Sequence, residues 1–350
     1  MITDTISFWS ILGCLIPSGL CTIFLLYHFL FDRNLRRALN NHIIILLLII
    51  CLINQVTFYP WMLYYNQSKS NWKRSYTFCV ILAFIDWSLY IAHTLLFAWA
   101  MIERHILIFH DGWVSTRTRR FFVHYLPLVV LILYWFFFYV VTYFFPPCSN
   151  RFRPTSLVCM FPCLYDGYLF SMWDFVAHQI VPIFVITIFS IGLFLRVLWR
   201  KNRMRLAVNW RAHRKMTIHA LSISSMYCII LLPYTIVYIL RNIYNIRNPL
   251  IEDFYDCTVF FSYFVILLFP FVCACSLPQL KVRVKNLFCL SQNRRQIVPI
   301  SWCYIINKNF SDTQICSDHD CIEINVYPSR TSFGMRCNGK YVPWVYWLKK

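Results

Sequence analysis

Asp86 sits two turns inside a stretch, Cys79 to Ile102, that holds no other Asp, Glu, Lys or Arg. A carboxylate at that depth in a membrane-crossing helix costs about 2.5–3.5 kcal/mol, so it marks a site and needs a partner: a bound cation, a phenol or a proton. Asp174 and His178 lie one helical turn apart in a second apolar stretch, Phe170 to Leu195. Just beyond the Asp86 stretch, Glu103-Arg104-His105 sets a permanent guanidinium beside an acid. These groups can bind and switch. For catalysis the chain lacks the paired acids of a GxGD motif and any HExxH, and its 16 cysteines form no CxxC pair or His–Cys cluster at zinc spacing. No enzyme activity, metal or cofactor is expected.

The elements that must position these side chains are membrane helices. Of 350 residues, 59% are hydrophobic, 19% aromatic and 13% charged, with mean hydropathy +0.55, which excludes a soluble globular domain. Seven stretches reach the roughly 20 apolar residues a bilayer requires: Ser7–Phe31, Asn41–Tyr65, Cys79–Ile102, Phe121–Phe145, Phe170–Leu195, Met216–Leu240 and Cys257–Leu277. Asp86 and Asp174 are their formal charges. Of the 33 Lys and Arg residues, 26 fall in the odd-numbered loops and the tail and 7 on the other side, which predicts an outside N-terminus, residues 1–6, and a cytosolic C-terminus. The net charge of +19 is thus spread over loops that face lipid headgroups; no nucleic-acid surface is expected. The sequon at Asn66 falls on the outer side, a candidate glycosylation site. Cys79, Cys148, Cys159, Cys163 and Cys257 fall on the same oxidising side.

Arg104 follows Cys79 by 25 residues, with Trp72 a short way before that cysteine. This constellation resembles the rhodopsin-like G-protein-coupled receptors, whose third helix opens on a loop-bridging cysteine and closes on an acid-Arg-aromatic triplet. Trp135, Pro182, Pro233 and Pro270 match further landmarks in helices four to seven, and the likeness covers about residues 7–290. It implies an all-α membrane protein, a seven-transmembrane helix bundle over 7–277, with prolines kinking helices five, six and seven. It also implies a bridge from Cys79 to Cys159 or Cys163, with a second bridge among the remaining outer cysteines left open. A short amphipathic eighth helix is expected over 278–290, where Leu280, Val284, Leu287 and Phe288 recur at helical spacing, followed by Cys289 as a lipidation site. Residues 291–350 fit no span and read as a disordered cytosolic tail.

The resemblance also implies roles. Asp86, seven residues after Cys79, occupies the place of the acid that pairs with the ammonium in amine receptors, and Tyr263, seven before Pro270, that of the tyrosine bonded to it. Tyr90 and Tyr234 would line the same cavity, and Asp174 with His178 its far wall, although plain solvation is the competing reading for Asp174. Asp86 held by Tyr263 alone, or protonated within the packing, is the competing reading there. Glu103, Arg104 and His105 would form the G-protein switch, with Arg104 resting on Glu103. Since His213 and Lys215 stand where many members carry an acid, no second clamp on Arg104 is expected. The sequence also departs from the family. The NPxxY stretch reads Phe269-Pro270-Phe271-Val272-Cys273, CWxP reads Ile230-Leu231-Leu232-Pro233, the second span has no acid and the first no mid-span asparagine. The function expected is a plasma-membrane receptor that binds a small cationic amine and activates a heterotrimeric G protein. The alternatives are a peptide receptor of the same family and a decayed, non-signalling bundle. A multi-span enzyme or transporter is disfavoured, the latter by only 7 glycines and no internal repeat.

Overall fold

The computed structural model describes residues 4–68, 75–109, 116–153, 156–203, 210–244, 246 and 248–276, together with five short strands between 303 and 343. Among these, six helices are long and apolar enough to cross a membrane: α1 (Thr5–Phe31), α2 (Asn41–Gln67), α3 (Tyr76–Phe109), α4 (Arg117–Phe144), α5 (Tyr168–Arg196) and α6 (Thr217–Asn242). A seventh span, α7, is a broken pair, Pro249–Ser262 and Phe264–Ser276, bent by 44°. The protein is an all-α membrane bundle. Its helices are apolar inside, where Leu25, Leu47, Phe97 and Leu231 are buried, and apolar outside, where Phe137, Ile188 and Ile229 are exposed. That pattern suits a lipid solvent rather than water.

Polar side chains tie the helices where apolar packing alone specifies little. Ser18 on α1 donates to the Leu267 carbonyl of α7 at 2.6 Å and accepts from Gln55 Nε2 of α2 at 2.8 Å. Thr22 donates to Gln55 Oε1 at 3.0 Å. These residues link α1, α2 and α7. At the break in α7, the Tyr59 hydroxyl donates to the Tyr263 carbonyl at 2.5 Å, a side-chain partner for backbone at the bend. On the opposite wall, Trp135 Nε1 of α4 donates to the Ser88 carbonyl of α3 at 2.6 Å.

Pro233 and Pro270 lie inside α6 and α7 as expected. Pro182 is accommodated by a wider turn: Val176–Ile180 forms a π turn immediately ahead of it, and the same device, Phe121–Tyr125, precedes Pro127 in α4. Proline has no N–H and crowds the carbonyl four residues back; a π turn moves that carbonyl's partner one residue on.

At the end of the bundle that carries Cys79, a two-stranded hairpin, β1 (Arg151–Phe152) with β2 (Met160–Phe161), fills the connection between α4 and α5. Cys79 pairs with Cys159, which resolves the choice left open by the sequence; Cys148 pairs with Cys163, and Cys257 is a free thiol. Asn66 departs from expectation. It is not on a loop: the helix Leu39–Ser68 runs on past Tyr65, and Asn66 is half-buried with its Nδ2 donating to Ser7 Oγ at 3.1 Å.

Residues 288–350 form a separate unit. Within it, β3 (Cys303–Ile305), β4 (Asp312–Ser317) and β5 (Asp320–Asn325) make an antiparallel sheet, and β6 (Gly334–Cys337) pairs with β7 (Lys340–Pro343). Residues 291–350, expected as a disordered tail, carry these short antiparallel strands in the described stretches. The sequence carries the signal, with β-branched residues alternating in β4 and β5 and the hairpin dipeptide Asn338-Gly339 between β6 and β7. The expected amphipathic helix and Cys289 lie outside the described residues, as do Trp72 and the side chains of His213 and Lys215.

Candidate functional sites at the two ends of the bundle

Asp86 opens onto a cavity of about 60 Å³ between α2, α3, α6 and α7, whose walls include Asn54, Tyr59, Tyr90, Tyr234 and Tyr263. Four of the expected residues, Asp86, Tyr90, Tyr234 and Tyr263, therefore come together. The expected bond from Tyr263 to Asp86 is absent. The Tyr263 ring instead stacks on Phe58, with centroids 5.6 Å apart. Among the described residues Asp86 has no hydrogen-bond or ion-pair partner. Tyr90 accepts from Gln179 Nε2 at 3.1 Å, which leaves its own O–H proton to be donated elsewhere. The cavity thus presents one carboxyl group among phenols, with the Trp87 ring on its wall. A cationic head group of few atoms complements it, through charge and through the ring faces.

Asp174 and His178 are not on this cavity, and Asp174 is not solvated. It is 2% exposed and receives four donors: His178 Nδ1 at 2.6 Å, Tyr139 hydroxyl at 2.8 Å, Tyr165 hydroxyl at 3.0 Å and Trp87 Nε1 at 3.3 Å. The other nitrogen of His178 lies 2.7 Å from the Tyr134 hydroxyl. Burial holds the Tyr165 phenol well above its usual range, so it stays a donor. A carboxylate with four donors is satisfied; its role is to bind α3, α4, α5 and the hairpin connection together. Trp173, beside Asp174, is 60% exposed. The sequence shows the one-turn spacing of Asp174 and His178 but not Tyr139, Tyr165 and Trp87, which come from three other segments.

At the opposite end, Arg104 is 1% exposed, and it does not rest on Glu103. Glu103 turns toward α4 and pairs with His124 Nδ1. The next link is His124 Nε2 to His42 Nδ1 at 3.1 Å, and His42 Nε2 donates to the Arg36 carbonyl at 3.0 Å. Arg104 reaches α6 instead, where its Nη2 lies 3.2 Å from His219 Nδ1. The expectation of no second clamp is therefore corrected: a histidine six residues beyond His213 supplies one. Arg104 Nε and Nη1 are buried without an acceptor among the described residues, a costly arrangement for a guanidinium. His105 packs against Phe109 and Phe189 rather than Arg104.

Between the two ends lies a third polar link that the sequence reading missed. His93 of α3 joins Cys51 Sγ of α2 at 3.3 Å and the Tyr227 hydroxyl of α6 at 2.6 Å, and Tyr227 stacks on Phe97 at 4.3 Å. Single histidines at 42, 93, 124 and 219 give no spacing signal; helix rotation alone decides whether they meet.

The helix order, the bent pair at α7 and the bridge from the head of α3 to the hairpin describe a helix bundle with a rhodopsin-like fold. The chain is similar to squid rhodopsin in its crystal structure, with a TM-score of 0.64, 16% identity and 82% of each chain covered. No family model and no curated protein matches it. At that identity the likeness is one of fold.

Proposed function

We propose that the chain is a plasma-membrane G-protein-coupled receptor for a small cationic amine, with its N-terminus outside and its C-terminus in the cytosol. The observation that carries this reading is Asp86: an unpartnered carboxylate inside a membrane bundle, open to a cavity of phenols. Binding a cation offsets the cost of holding it there. Both disulfides lie at the end that the basic-residue count places outside, which supports the orientation. Ligand binding would shift a pre-existing equilibrium between closed and open bundles, exposing Arg104 to a heterotrimeric G protein. The altered helix-six and helix-seven sequences bear on how the shift is transmitted, and His93–Tyr227 and Arg104–His219 are the links present to transmit it. The hairpin over the Cys79 end favours, as a second reading, a basic peptide that reaches Asp86 with one cationic side chain.

The test is G-protein activation in cells expressing wild type or Asp86→Asn at matched surface levels, challenged with a panel of biogenic amines. A wild-type response lost in Asp86→Asn is the expected result. Silence to amines with basal activity that Arg104→Ala removes would turn the search to peptides. Silence in both respects would sink the signalling reading.

A further inference from the structure

Arg104 donates at every nitrogen and accepts at none. The atom 3.2 Å from its Nη2 is His219 Nδ1, and both side chains are buried. This contact is a hydrogen bond only if Nδ1 carries a lone pair, so the imidazole must be neutral with its proton on Nε2. A second proton would have to enter at Nδ1, the atom that faces the guanidinium. It would remove the acceptor and set two cations against each other away from water. We propose that His219 is the clamp holding α6 to α3 at the Arg104 end, and that its protonation releases α6.

The surroundings favour this single trigger. Arg104 is the charged group that acts on His219 among the described residues. Glu103 of α3 and the Cys273 thiol of α7 act on Arg104 itself, and Arg196 of α5 lies over the Phe109 ring, 5.0 Å from its centroid. Among the described residues no carboxylate contacts His219 to compensate a positive ring, since Glu103 pairs with His124. The His219–Arg104 bond is broken by a proton on His219. With Nε and Nη1 of Arg104 unpartnered, His219 is its one side-chain hydrogen-bond partner among the described residues, so losing it leaves no side-chain bond from Arg104 to α6.

The decisive measurement is the distance between spin labels on non-cysteine unnatural residues at Thr118 of α4 and Ile218 of α6. Both positions are exposed, and the full chain would be held in phosphatidylcholine nanodiscs between about pH 8 and pH 5.5. The wild type is expected to gain a longer-distance population on acidification, rising by at most about tenfold per pH unit for one proton. His219→Gln keeps an acceptor and cannot titrate, so it should hold the short distance throughout. His219→Arg, a permanent cation, should show the long one at both extremes. An unchanged wild-type distance, or an acid response that persists in His219→Gln, would overturn the proposal. Signalling through this opening rests on the receptor reading, and GTP exchange by added G protein separates the two. Opening without exchange supports the clamp and counts against the receptor.

Discussion

The two aspartates inside the bundle have opposite fates, and the difference is measurable. Asp174 has four donors, so Asp174→Asn leaves donors facing a neutral amide and should cost about 2–4 kcal/mol, read as a lower melting temperature in detergent. Tyr165→Phe removes one of the four bonds and should cost about 1–2 kcal/mol in the same assay. Asp86, in contrast, has no partner to lose. Asp86→Asn should leave stability unchanged or raise it by about 1–2 kcal/mol while abolishing the amine response, the pattern of a site held strained for binding. A marked loss of stability in Asp86→Asn would mean that the carboxylate is structural and would remove the main support for the proposed ligand.

At the scale of elements, the end near Cys79 is built by covalent ties and the other end by histidines. The Cys79–Cys159 bridge spans 80 residues and Cys148–Cys163 spans 15. Chain-entropy arguments assign about 3 kcal/mol to a loop of the smaller size and more to the larger. Cys159→Ser should therefore lower surface expression and melting temperature more than Cys148→Ser does. The reverse order would show that the short bridge, which pins the approach to α5, matters more than loop length. In the middle of the bundle, Tyr227→Phe removes the bond to His93 and keeps the ring on Phe97. About 1 kcal/mol lost from the closed state shifts the closed–open ratio roughly fivefold, so basal GTP exchange should rise by up to that factor.

For the whole molecule, the proposed orientation rests on the distribution of basic residues and is checked independently of any ligand. An epitope before Asp4 should be stained on intact cells, and one after Lys350 only after permeabilisation. The bundle's surface is apolar on both faces of most helices, so specificity of packing falls to the polar seams: Ser18–Gln55–Thr22, Trp135 to the Ser88 carbonyl, and Asp174 with its donors. The same logic explains why a chain at 16% identity to squid rhodopsin keeps its fold over 82% of its length. Spans and their order are fixed by apolar length, whereas the seams can be rebuilt from different residues.

Read alone, the sequence determined the spans, the placement of the kinking prolines and the position of Asp86, because apolar length, missing N–H groups and a charge inside a helix are local facts. Tyr90 lies one turn from Asp86 on the same helix, whereas Tyr234 and Tyr263 were legible as its neighbours only through the resemblance to a known family. Only the tertiary structure decided that Asp174 is consumed by its donors, that Glu103 turns to His124, and that Arg104 meets His219. Each of these depends on how one helix is rotated against another, and in a helix that is apolar all round no periodicity in the sequence records that angle. The π turns ahead of Pro127 and Pro182 add to this, since each shifts the register of the residues beyond it by a fraction of a turn.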